Sequence, residues 1–426
     1  MKVRAITLGC KVNAYESEFI LSKFKEKGYE ITDLVSDIYI INTCSVTNTS
    51  DAKSRKVVNK IVREQKNAII VLMGCMVEAH RDYENDGVSI IIGNKDKSRV
   101  VELVEEYIKT KKNKKILYDN FDESFEDMFI ESMNEHTRAY VKIEDGCENF
   151  CSYCIIPYTR GKVRSKNPDK VIEEIETLVK NGYKEVVLTG IHTGHYGSDI
   201  ETSFPELLKR ICKIKNLYRL RISSIEITEL DDEFLDVLKN NKVIVNHMHI
   251  PLQSGSDTIL KLMNRKYLCD YYENKINTIR SIRKNISIST DIIVGFPGET
   301  EELFQETLEF ARKMKFSKIH VFPFSVRHKT KAETMPNQIS NEIKKERVKR
   351  LVNLSNELEK EYMNLFIDKV VTVLVETNDD NSSIGHTDNF LKVQINKKID
   401  SNTLVKVKIN KLNNLVLEGE VYEESK

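Results

Sequence analysis

The chain lacks any hydrophobic segment long enough to cross a membrane. Its longest apolar run extends from Ala68 to Met76, whereas a helix that spans a bilayer needs about 20 apolar residues. The amino terminus passes from Met1 directly into the strand-like segment Val3–Thr7, so no apolar leader of a targeting signal is visible. We therefore expect a cytoplasmic protein that has no membrane partner.

The chain also lacks an excess of charge of one sign. Its 66 basic and 65 acidic residues leave a net charge of +1, so a surface for nucleic acid would have to be a local basic patch. Eight cysteines without a secretion signal argue against a disulfide framework and for a reducing compartment. A hydrophobic fraction of 40% is typical of a globular protein, and 426 residues predict two or three domains.

Three cysteines lie close together in the sequence Cys147-Glu148-Asn149-Phe150-Cys151-Ser152-Tyr153-Cys154. Zinc sites usually have four ligands, and neither a nearby cysteine nor a spaced pair of histidines supplies a fourth one here. Three thiolates suit a [4Fe–4S] cluster in which one iron stays open for another molecule. A zinc site or a disulfide is the alternative interpretation.

A second set of cysteines is spread over the first part of the chain. Cys10, Cys44 and Cys75 each follow a predicted strand by a few residues. The carboxyl ends of parallel strands share one edge of a sheet, where ligands usually bind, so three thiols there could converge on a second iron–sulfur cluster. The alternative is that they are buried cysteines in turns. Cys212 and Cys269 match no such pattern, and we interpret them as structural.

Strands and helices alternate through the first part of the chain, which predicts a parallel sheet. The predicted strands are Val3–Thr7, Ile38–Ile41 and Ile69–Leu72, and the helices lie around Ser17–Lys27 and Asp51–Gln65. A second series of strands is predicted at Ala139–Ile143, Glu185–Thr189, Arg219–Ser223, Val245–Ile250, Ser287–Val294 and Ser317–Phe322.

A long charged helix is predicted from about Ser340 to Leu365, and a small all-β module follows it. The pattern there changes to period two, which indicates strands, at Val370–Glu376, Leu391–Ile395, Leu404–Ile409 and Leu415–Val421. We therefore predict domains at residues 1–112, 137–366 and 367–426, with a charged linker at 113–136.

The first triplet, with an aromatic residue before its last cysteine, resembles the radical S-adenosylmethionine superfamily. Two triplets followed by a small β-module resemble the methylthiotransferases over essentially the whole chain. The resemblance is greatest to the branch that acts on N6-threonylcarbamoyladenosine in tRNA, and it rests on Thr7–Asn13, Thr189–Gly194, Arg221–Glu226 and His249–Ser256. The form of Leu8–Asn13 separates the chain from the isopentenyladenosine and ribosomal-protein branches.

The resemblance implies an α/β fold with a parallel N-terminal βαβ domain, a central (β/α)6 partial TIM-type barrel and a small C-terminal barrel similar to a TRAM domain. It also implies two [4Fe–4S] clusters, the first held by Cys147, Cys151 and Cys154 and the second by Cys10, Cys44 and Cys75. The implied contacts with S-adenosylmethionine are Tyr153, Gly190, Gly194, Ser223, Ser224, Glu226 and Gln253. The alternative for Tyr153 is an ordinary aromatic residue of the core, and the alternative for Gly190 and Gly194 is that they are ordinary glycines of turns.

The resemblance further implies that the partner is the anticodon loop of tRNA. Basic residues could contact it on the C-terminal module (Lys392, Lys397, Lys398, Lys406, Lys408 and Lys411) and in the runs Arg160–Lys166 and Lys344–Arg350. The alternatives are a solvated surface for the lysines of the module and a helix surface with i,i+4 pairs for the second run. An electron donor such as flavodoxin or ferredoxin and a monomeric state are also expected.

Two other functions are weighed against this one. The chain could modify a ribosomal-protein side chain, or it could be a non-catalytic iron–sulfur protein that binds RNA. One departure from the family pattern is Lys329, which stands where a glycine is usual and puts the conformation of its loop in doubt.

Overall fold

The N-terminal part of the protein is a parallel sheet with helices packed against it. The computed structural model describes residues 1–118, 124–133 and 137–423. The strands are β1 (Lys2–Thr7), β2 (Glu30–Ile31), β3 (Ile38–Thr43), β4 (Ile69–Gly74), β5 (Ile90–Ile92) and β6 (Lys114–Ile116). The helices are α1 (Lys11–Glu26), α2 (Asn48–Glu64), α3 (Cys75–Ala79) and α4 (Val100–Thr110). The strand order is β2-β1-β3-β4-β5-β6, and every pair is parallel, which confirms the predicted sheet.

The structure differs from the prediction where polar residues are buried or strands are short. Helix α1 begins at Lys11 rather than near Ser17, because Asn13 and Glu16 are polar but buried and interrupt the apolar periodicity. Strands β2, β5 and β6 have only two or three residues each, which is too short for an alternating pattern. Strand β6 lies within the segment predicted as a linker, 113–136, and pairs with the N-terminal sheet.

The central part of the protein is an open barrel of six parallel strands. Its strands and two short additional ones are β7 (Arg138–Lys142), β8 (Glu144–Asp145), β9 (Arg164–Ser165), β10 (Glu185–Thr189), β11 (Arg219–Ile222), β12 (His247–His249), β13 (Ser287–Val294) and β14 (Lys318–Pro323). The parallel rows β7-β10-β11 and β12-β13-β14 are connected by a parallel bridge between Leu220 and Ile244. The predicted partial barrel is confirmed.

Eight helices complete the described central part, and five of them begin after a residue whose side chain caps the helix. They are α5 (Ile156–Arg160), α6 (Pro168–Lys180), α7 (Phe204–Ile211), α8 (Asp232–Asn240), α9 (Asp257–Leu262), α10 (Cys269–Ile282), α11 (Glu301–Met314) and α12 (Asn341–Asn364). The Asn167 side chain accepts hydrogen bonds from the backbone of Asp169 and Lys170 at the start of α6, which is typical N-capping. No helix within the described residues is both long and apolar enough to cross a membrane.

The C-terminal module is a closed five-stranded barrel. Its strands are β15 (Val370–Asn378), β16 (Ser383–Thr387), β17 (Lys392–Ile395), β18 (Leu404–Asn413) and β19 (Val416–Val421), in the order β15-β16-β17-β19-β18. The sequence pattern missed β16, whose residues Ser383–Thr387 include only one large apolar side chain.

This module packs against the N-terminal ends of the central strands. Glu376 pairs with Arg138 at 3.2 Å, and the Thr372 carbonyl accepts a hydrogen bond from Arg219 at 2.8 Å. The Phe390 ring lies 5.0 Å from the guanidinium of Arg138 and 4.7 Å from that of Arg221. The opposite, C-terminal edge of the central strands is the edge that carries active sites in barrel enzymes.

Candidate active site

The first cysteine triplet lies in the loop between β8 and α5, and its backbone is fixed from two sides. The Cys147 N–H donates to the Gly161 carbonyl at 3.0 Å. Ser152 donates from its backbone to the Met263 carbonyl at 3.0 Å and from its hydroxyl to the Leu262 carbonyl at 2.8 Å. The loop is therefore anchored by Gly161 after α5 on one side and by the end of α9 on the other.

Two basic side chains face the thiols of this triplet. Arg265 donates to Cys151 Sγ at 3.3 Å, and His192 Nδ1 lies 3.7 Å from Cys147 Sγ. Burial lowers the pKa of His192 to about 4, so that ring is neutral at pH 7. Burial, followed by the charge of Cys151, raises the pKa of Cys154 to about 12. A metal that binds here must therefore displace a proton from the thiol.

The second triplet lies at the C-terminal ends of three adjacent parallel strands, as the sequence predicted. Cys10 follows β1, Cys44 follows β3, and Cys75 is the first residue after β4. Gly9 has a φ of +107°, and a Cβ there would lie 2.6 Å from Cys44 Cβ, so only glycine permits this approach. Burial and the nearby Cys75 raise the pKa of Cys44 to about 11.

In each triplet at least one pair of sulfur atoms lies farther apart than a single zinc ion allows. A zinc–sulfur bond of about 2.3 Å requires sulfur atoms about 3.8 Å apart. Among the described residues, two groups place three possible ligand atoms within 4.8 Å of one another, and neither contains a cysteine. The thiols of each triplet are nevertheless close enough for their charges to interact. All eight cysteines are free, which excludes the disulfide interpretation for this structure.

One cavity of about 970 Å³ extends along the inside of the central barrel, from the second triplet at the C-terminal ends of the strands to the C-terminal module at their N-terminal ends. Its wall includes Cys10, Cys44 and Cys75, then Gly190, Ser223 and Ser224 at the C-terminal ends of the central strands, and Phe390 of the C-terminal module. The structure thus brings residues from all three parts of the chain around a single space that is large enough for a nucleoside-sized ligand.

A buried network of charges connects the N-terminal sheet to the central barrel. Arg160 is fully buried and donates to Glu16 and Asp145 at 3.1 Å each, and Lys142 donates to Glu16 at 3.0 Å. The opposing charges hold the pKa of Glu16 and Asp145 below their usual values, against the effect of burial. The carboxylates therefore stay ionised within the protein interior.

This network corrects one expectation from the sequence. The basic run Arg160–Lys166 was expected to face the RNA, but Arg160, Arg164 and Lys166 are buried. Lys166 pairs with buried Glu174 at 2.6 Å. Their charges are neutralised inside the protein, so of the basic residues in this run only Lys162 is exposed.

The glycines predicted to contact S-adenosylmethionine leave room for acidic side chains. A Cβ on Gly190 would lie 2.7 Å from a Glu144 carboxylate oxygen, and one on Gly194 would collide with the Glu229 carboxylate. Glu144 in turn accepts a hydrogen bond from the His192 backbone at 2.7 Å. A packing role therefore accounts for both glycines, and their contact with a cofactor stays a prediction.

The other predicted contacts with S-adenosylmethionine do not all lie at one place. Glu226 pairs with Arg265, the same side chain that reaches Cys151, so Glu226 lies beside the first triplet. Tyr153 packs with its ring edge-on to Phe296 at 6.4 Å. Gln253 has a left-handed backbone, with a φ of +70°. Ser223 and Ser224 line the cavity described above.

Sequence reasoning missed the role of two arginines. Arg265 was not identified at all, and Arg160 was assigned to an RNA surface. Their only signals were a lone basic residue after α9 and a basic run after the first triplet, and neither signal reveals a contact with sulfur.

Two family profiles match the chain, namely the Radical SAM superfamily over residues 141–311 and an uncharacterized protein family, UPF0004, over residues 2–93. The threonylcarbamoyladenosine tRNA methylthiotransferase MtaB of Bacillus subtilis (strain 168) is 41% identical over 95% of this chain and 93% of its own length. The protein of the same name from Aquifex aeolicus (strain VF5) is 38% identical over 85% and 90%. The tRNA-2-methylthio-N(6)-dimethylallyladenosine synthase of Acetivibrio thermocellus is 35% identical over 97% and 90%.

Among solved structures, the radical S-adenosylmethionine methyltransferase TsrM from Kitasatospora setae aligns with a TM-score of 0.58 over 78% of this chain and 74% of that chain. The identity is 12%, so this likeness concerns the fold. The relatives that match along most of the sequence establish the family, because they are more than 30% identical to this chain. The chain belongs to the radical S-adenosylmethionine methylthiotransferases, a family of enzymes that transfer sulfur-containing groups.

Proposed function

We propose that this enzyme converts N6-threonylcarbamoyladenosine at position 37 of tRNA, beside the anticodon, to its 2-methylthio derivative. The observation that carries the proposal is the single cavity whose wall includes Cys10, Cys44 and Cys75 together with the C-terminal rim of the central barrel. A base in an anticodon loop is already partly unstacked, which lowers the cost of drawing it into such a cavity.

The two cysteine triplets hold the two [4Fe–4S] clusters in this proposal. Cys147, Cys151 and Cys154 bind the cluster that receives S-adenosylmethionine, and Cys10, Cys44 and Cys75 bind the other. When bound, these cofactors supply the removal of a hydrogen atom from adenine C2 and the methylated sulfur that replaces it. A C2–H bond has no useful acidity, so a general base among the protein side chains could not perform this step.

The protein side chains position the cofactors and exclude water. Arg265 reaches both Cys151 Sγ and Glu226, so it orients a cluster ligand and the carboxylate proposed to bind the amino group of S-adenosylmethionine. Tyr153 packs beside the proposed adenine position, and Gly190, Gly194 and Gln253 lie in the surrounding loops. Ser223 and Ser224 present hydroxyl groups at the cavity wall.

The remaining parts of the proposal concern partners. All six lysines of the C-terminal barrel that were predicted to contact RNA are exposed, and phosphate contacts need only accessible positive charge. We further propose that the enzyme acts as a monomer in the cytoplasm and that flavodoxin or ferredoxin supplies the electron.

The test is mass spectrometry of nucleosides from bulk tRNA of cells with and without this chain. We expect 2-methylthio-N6-threonylcarbamoyladenosine only when the chain is present, and we expect it to vanish with Cys147→Ala and with Cys10→Ala. Cys269→Ala is the matched control, because this cysteine belongs to neither triplet and its variant should keep the product.

Two results would overturn the proposal. If tRNA is unchanged while a ribosomal protein gains a methylthio group, the chemistry is correct and the substrate is wrong. If the reduced, purified protein binds tRNA but does not cleave S-adenosylmethionine, the protein is a non-catalytic iron–sulfur protein instead.

A further inference from the structure

Lys11 is a cation without a partner in the wall of the active-site cavity. It directly follows Cys10, is the first residue of α1 and lines the cavity. Within the part of the chain that the structure describes, no hydrogen bond or ion pair involves its side chain. The residue is exposed and lines the cavity, and its ammonium group has no partner among the described residues that would compete with an anion in the cavity.

Most other cations of the cavity are already neutralised by carboxylates. Arg138 pairs with Glu376 at 3.2 Å, and Lys318 pairs with Glu359. Arg160 is held by the carboxylates of the buried network described above. Because their charges are satisfied within the protein, these side chains are poor candidates for a ligand, and Lys11 differs from them in this respect.

Arg221 provides a second unsatisfied group in the same wall. The charge of Arg221 is also paired, because its Nε donates to the Glu185 carboxylate at 2.7 Å, and its Nη2 donates to the Asp388 carbonyl at 3.3 Å. Its Nη1, however, is buried and has no hydrogen-bond partner among the described residues, so Arg221 offers a free hydrogen-bond donor rather than a free charge. A buried donor without an acceptor is costly, so this nitrogen points to a missing acceptor. The charges of Arg221 and Arg138 both act on Lys11, and an anion placed between Lys11 and Arg221 would relieve that repulsion.

The same cavity contains a group that could attract a metal ion instead. His249 Nε2 lies 3.2 Å from an Asp291 oxygen, and His320 completes a set of three possible ligands. Burial is the main cause that lowers the pKa of His320, and the charges of Lys318 and Lys11 contribute to it. The nearby positive charges of Lys318 and Lys11 favour an anion and disfavour a divalent cation at this place.

We propose that Lys11 and the free Nη1 of Arg221 form a subsite for a carboxylate, namely the threonyl carboxylate of the substrate. This inference rests on the proposed function. In adenine, only N1 separates C2 from the carbon that carries the N6 substituent, so a threonylcarbamoyl group lies close to the reacting carbon. Lys11 is likewise adjacent in sequence to Cys10, one of the proposed ligands of the sulfur-bearing cluster. A dimethylallyl substituent offers no charge for such a subsite to bind.

The experiment compares two anticodon stem-loop oligonucleotides that differ in one group. One carries N6-threonylcarbamoyladenosine, and the other carries its methyl ester, which has the same RNA phosphates and one additional methyl group but no carboxylate charge. Methylthiolation of both is measured with the wild-type enzyme, Lys11→Gln, Lys11→Arg and the surface control Lys25→Gln, which changes an exposed lysine of the same helix.

We expect Lys11→Gln to lower kcat/KM for the acid about 10- to 100-fold, which is the usual strength of a hydrogen bond to a charged group, and to leave the ester nearly unchanged. Lys11→Arg should restore most of the activity, and Lys25→Gln should match the wild type. An equal loss for acid and ester, or no loss at all, would overturn the subsite. If the wild-type enzyme cleaves S-adenosylmethionine but modifies neither oligonucleotide, the proposed function itself is wrong.

A binding measurement keeps the test decisive if Lys11→Gln disturbs the neighbouring cluster. The ratio of the dissociation constants for ester and acid needs no turnover. We expect this ratio to be about 10 or more for the wild type and close to 1 for Lys11→Gln. A wild-type ratio of 1 would mean that the cavity attracts only the phosphates of the RNA, and the inference would then be wrong.

Discussion

The guanidinium of Arg160, from the central barrel, donates from Nε to Cys75 Sγ of the N-terminal sheet across a distance of 3.4 Å. Asn94 donates to the same sulfur, also at 3.4 Å. Hydrogen bonds to the ligand sulfurs are one way in which a protein tunes an iron–sulfur cluster. Arg160 therefore couples the docking of the two parts of the chain to the environment of the second cysteine triplet.

Replacing Arg160 should weaken both the stability of the protein and its second cluster. Arg160→Gln leaves Glu16 and Asp145 buried with one cation fewer, and breaking a buried pair in this way costs about 3–5 kcal/mol. We expect a lower midpoint in denaturant unfolding and loss of iron from the second site. Arg63→Gln, which changes an exposed pair with Glu64, should alter stability by less than about 0.5 kcal/mol. An Arg160→Gln protein with unchanged stability and full iron would contradict this role.

The two triplets should bind iron independently of each other. Cys147→Ser and Cys75→Ser should each reduce the iron content of the reconstituted protein by about half, because each removes a ligand of one cluster. Cys75→Ser should still cleave S-adenosylmethionine under reducing conditions, and Cys147→Ser should not. Iron analysis and the yield of 5′-deoxyadenosine check this prediction. Loss of all iron from either variant would show that the two sites depend on each other.

Replacing Glu226 should weaken the binding of S-adenosylmethionine. Glu226→Gln keeps the shape of the side chain but removes the charge proposed to meet the amino group, so we expect about 10-fold weaker binding. Equilibrium dialysis with the reconstituted enzyme measures it. Glu233→Gln, on the surface at a pair with Lys209, is the control and should bind normally. If Glu226→Gln binds S-adenosylmethionine normally, Glu226 serves only to position Arg265 and does not bind the amino group.

Lys329→Gly should stabilise the protein. Lys329 has a φ of +69°, a conformation that costs a residue with a side chain about 1–2 kcal/mol. Glycine would avoid this cost, but its greater conformational freedom in the unfolded chain offsets part of the stabilisation. We expect a net gain of about 0.5–1 kcal/mol in denaturant unfolding. Lys331→Gly, at the start of the following 3₁₀ helix, should not stabilise. Equal effects of the two changes would mean that the backbone at Lys329 is not strained.

The loop that contains Lys329 contacts the N-terminal part of the chain. The neighbouring Arg327 donates to Ser45 at 2.7 Å and to Asp51 at 2.6 Å, so the loop still contacts the segment that follows Cys44. The lysine therefore adopts the conformation that a glycine would take more easily, and we expect Lys329→Gly to leave activity unchanged.

Local pattern alone identified most of the elements that position the site. The predicted strands Glu185–Thr189 and Ser287–Val294 are correct to the residue, since apolar residues at strand length are a short-range signal. The same pattern located Cys10, Cys44 and Cys75 at strand ends, and a parallel sheet then requires that they share an edge. Here sequence was sufficient because neighbouring residues alone encode these features.

Only the tertiary structure decided which polar residues are buried and what they contact. Arg160 and Cys75 are 85 positions apart, and no periodicity connects them. The basic run that contains Arg160 has the composition of an exposed surface, yet its charges are satisfied by Glu16, Asp145 and Glu174 inside the protein. The free charge of Lys11 is likewise visible only by its contrast with paired neighbours. A charge becomes buried or available through partners that are distant in sequence, and it is the fold that brings them together.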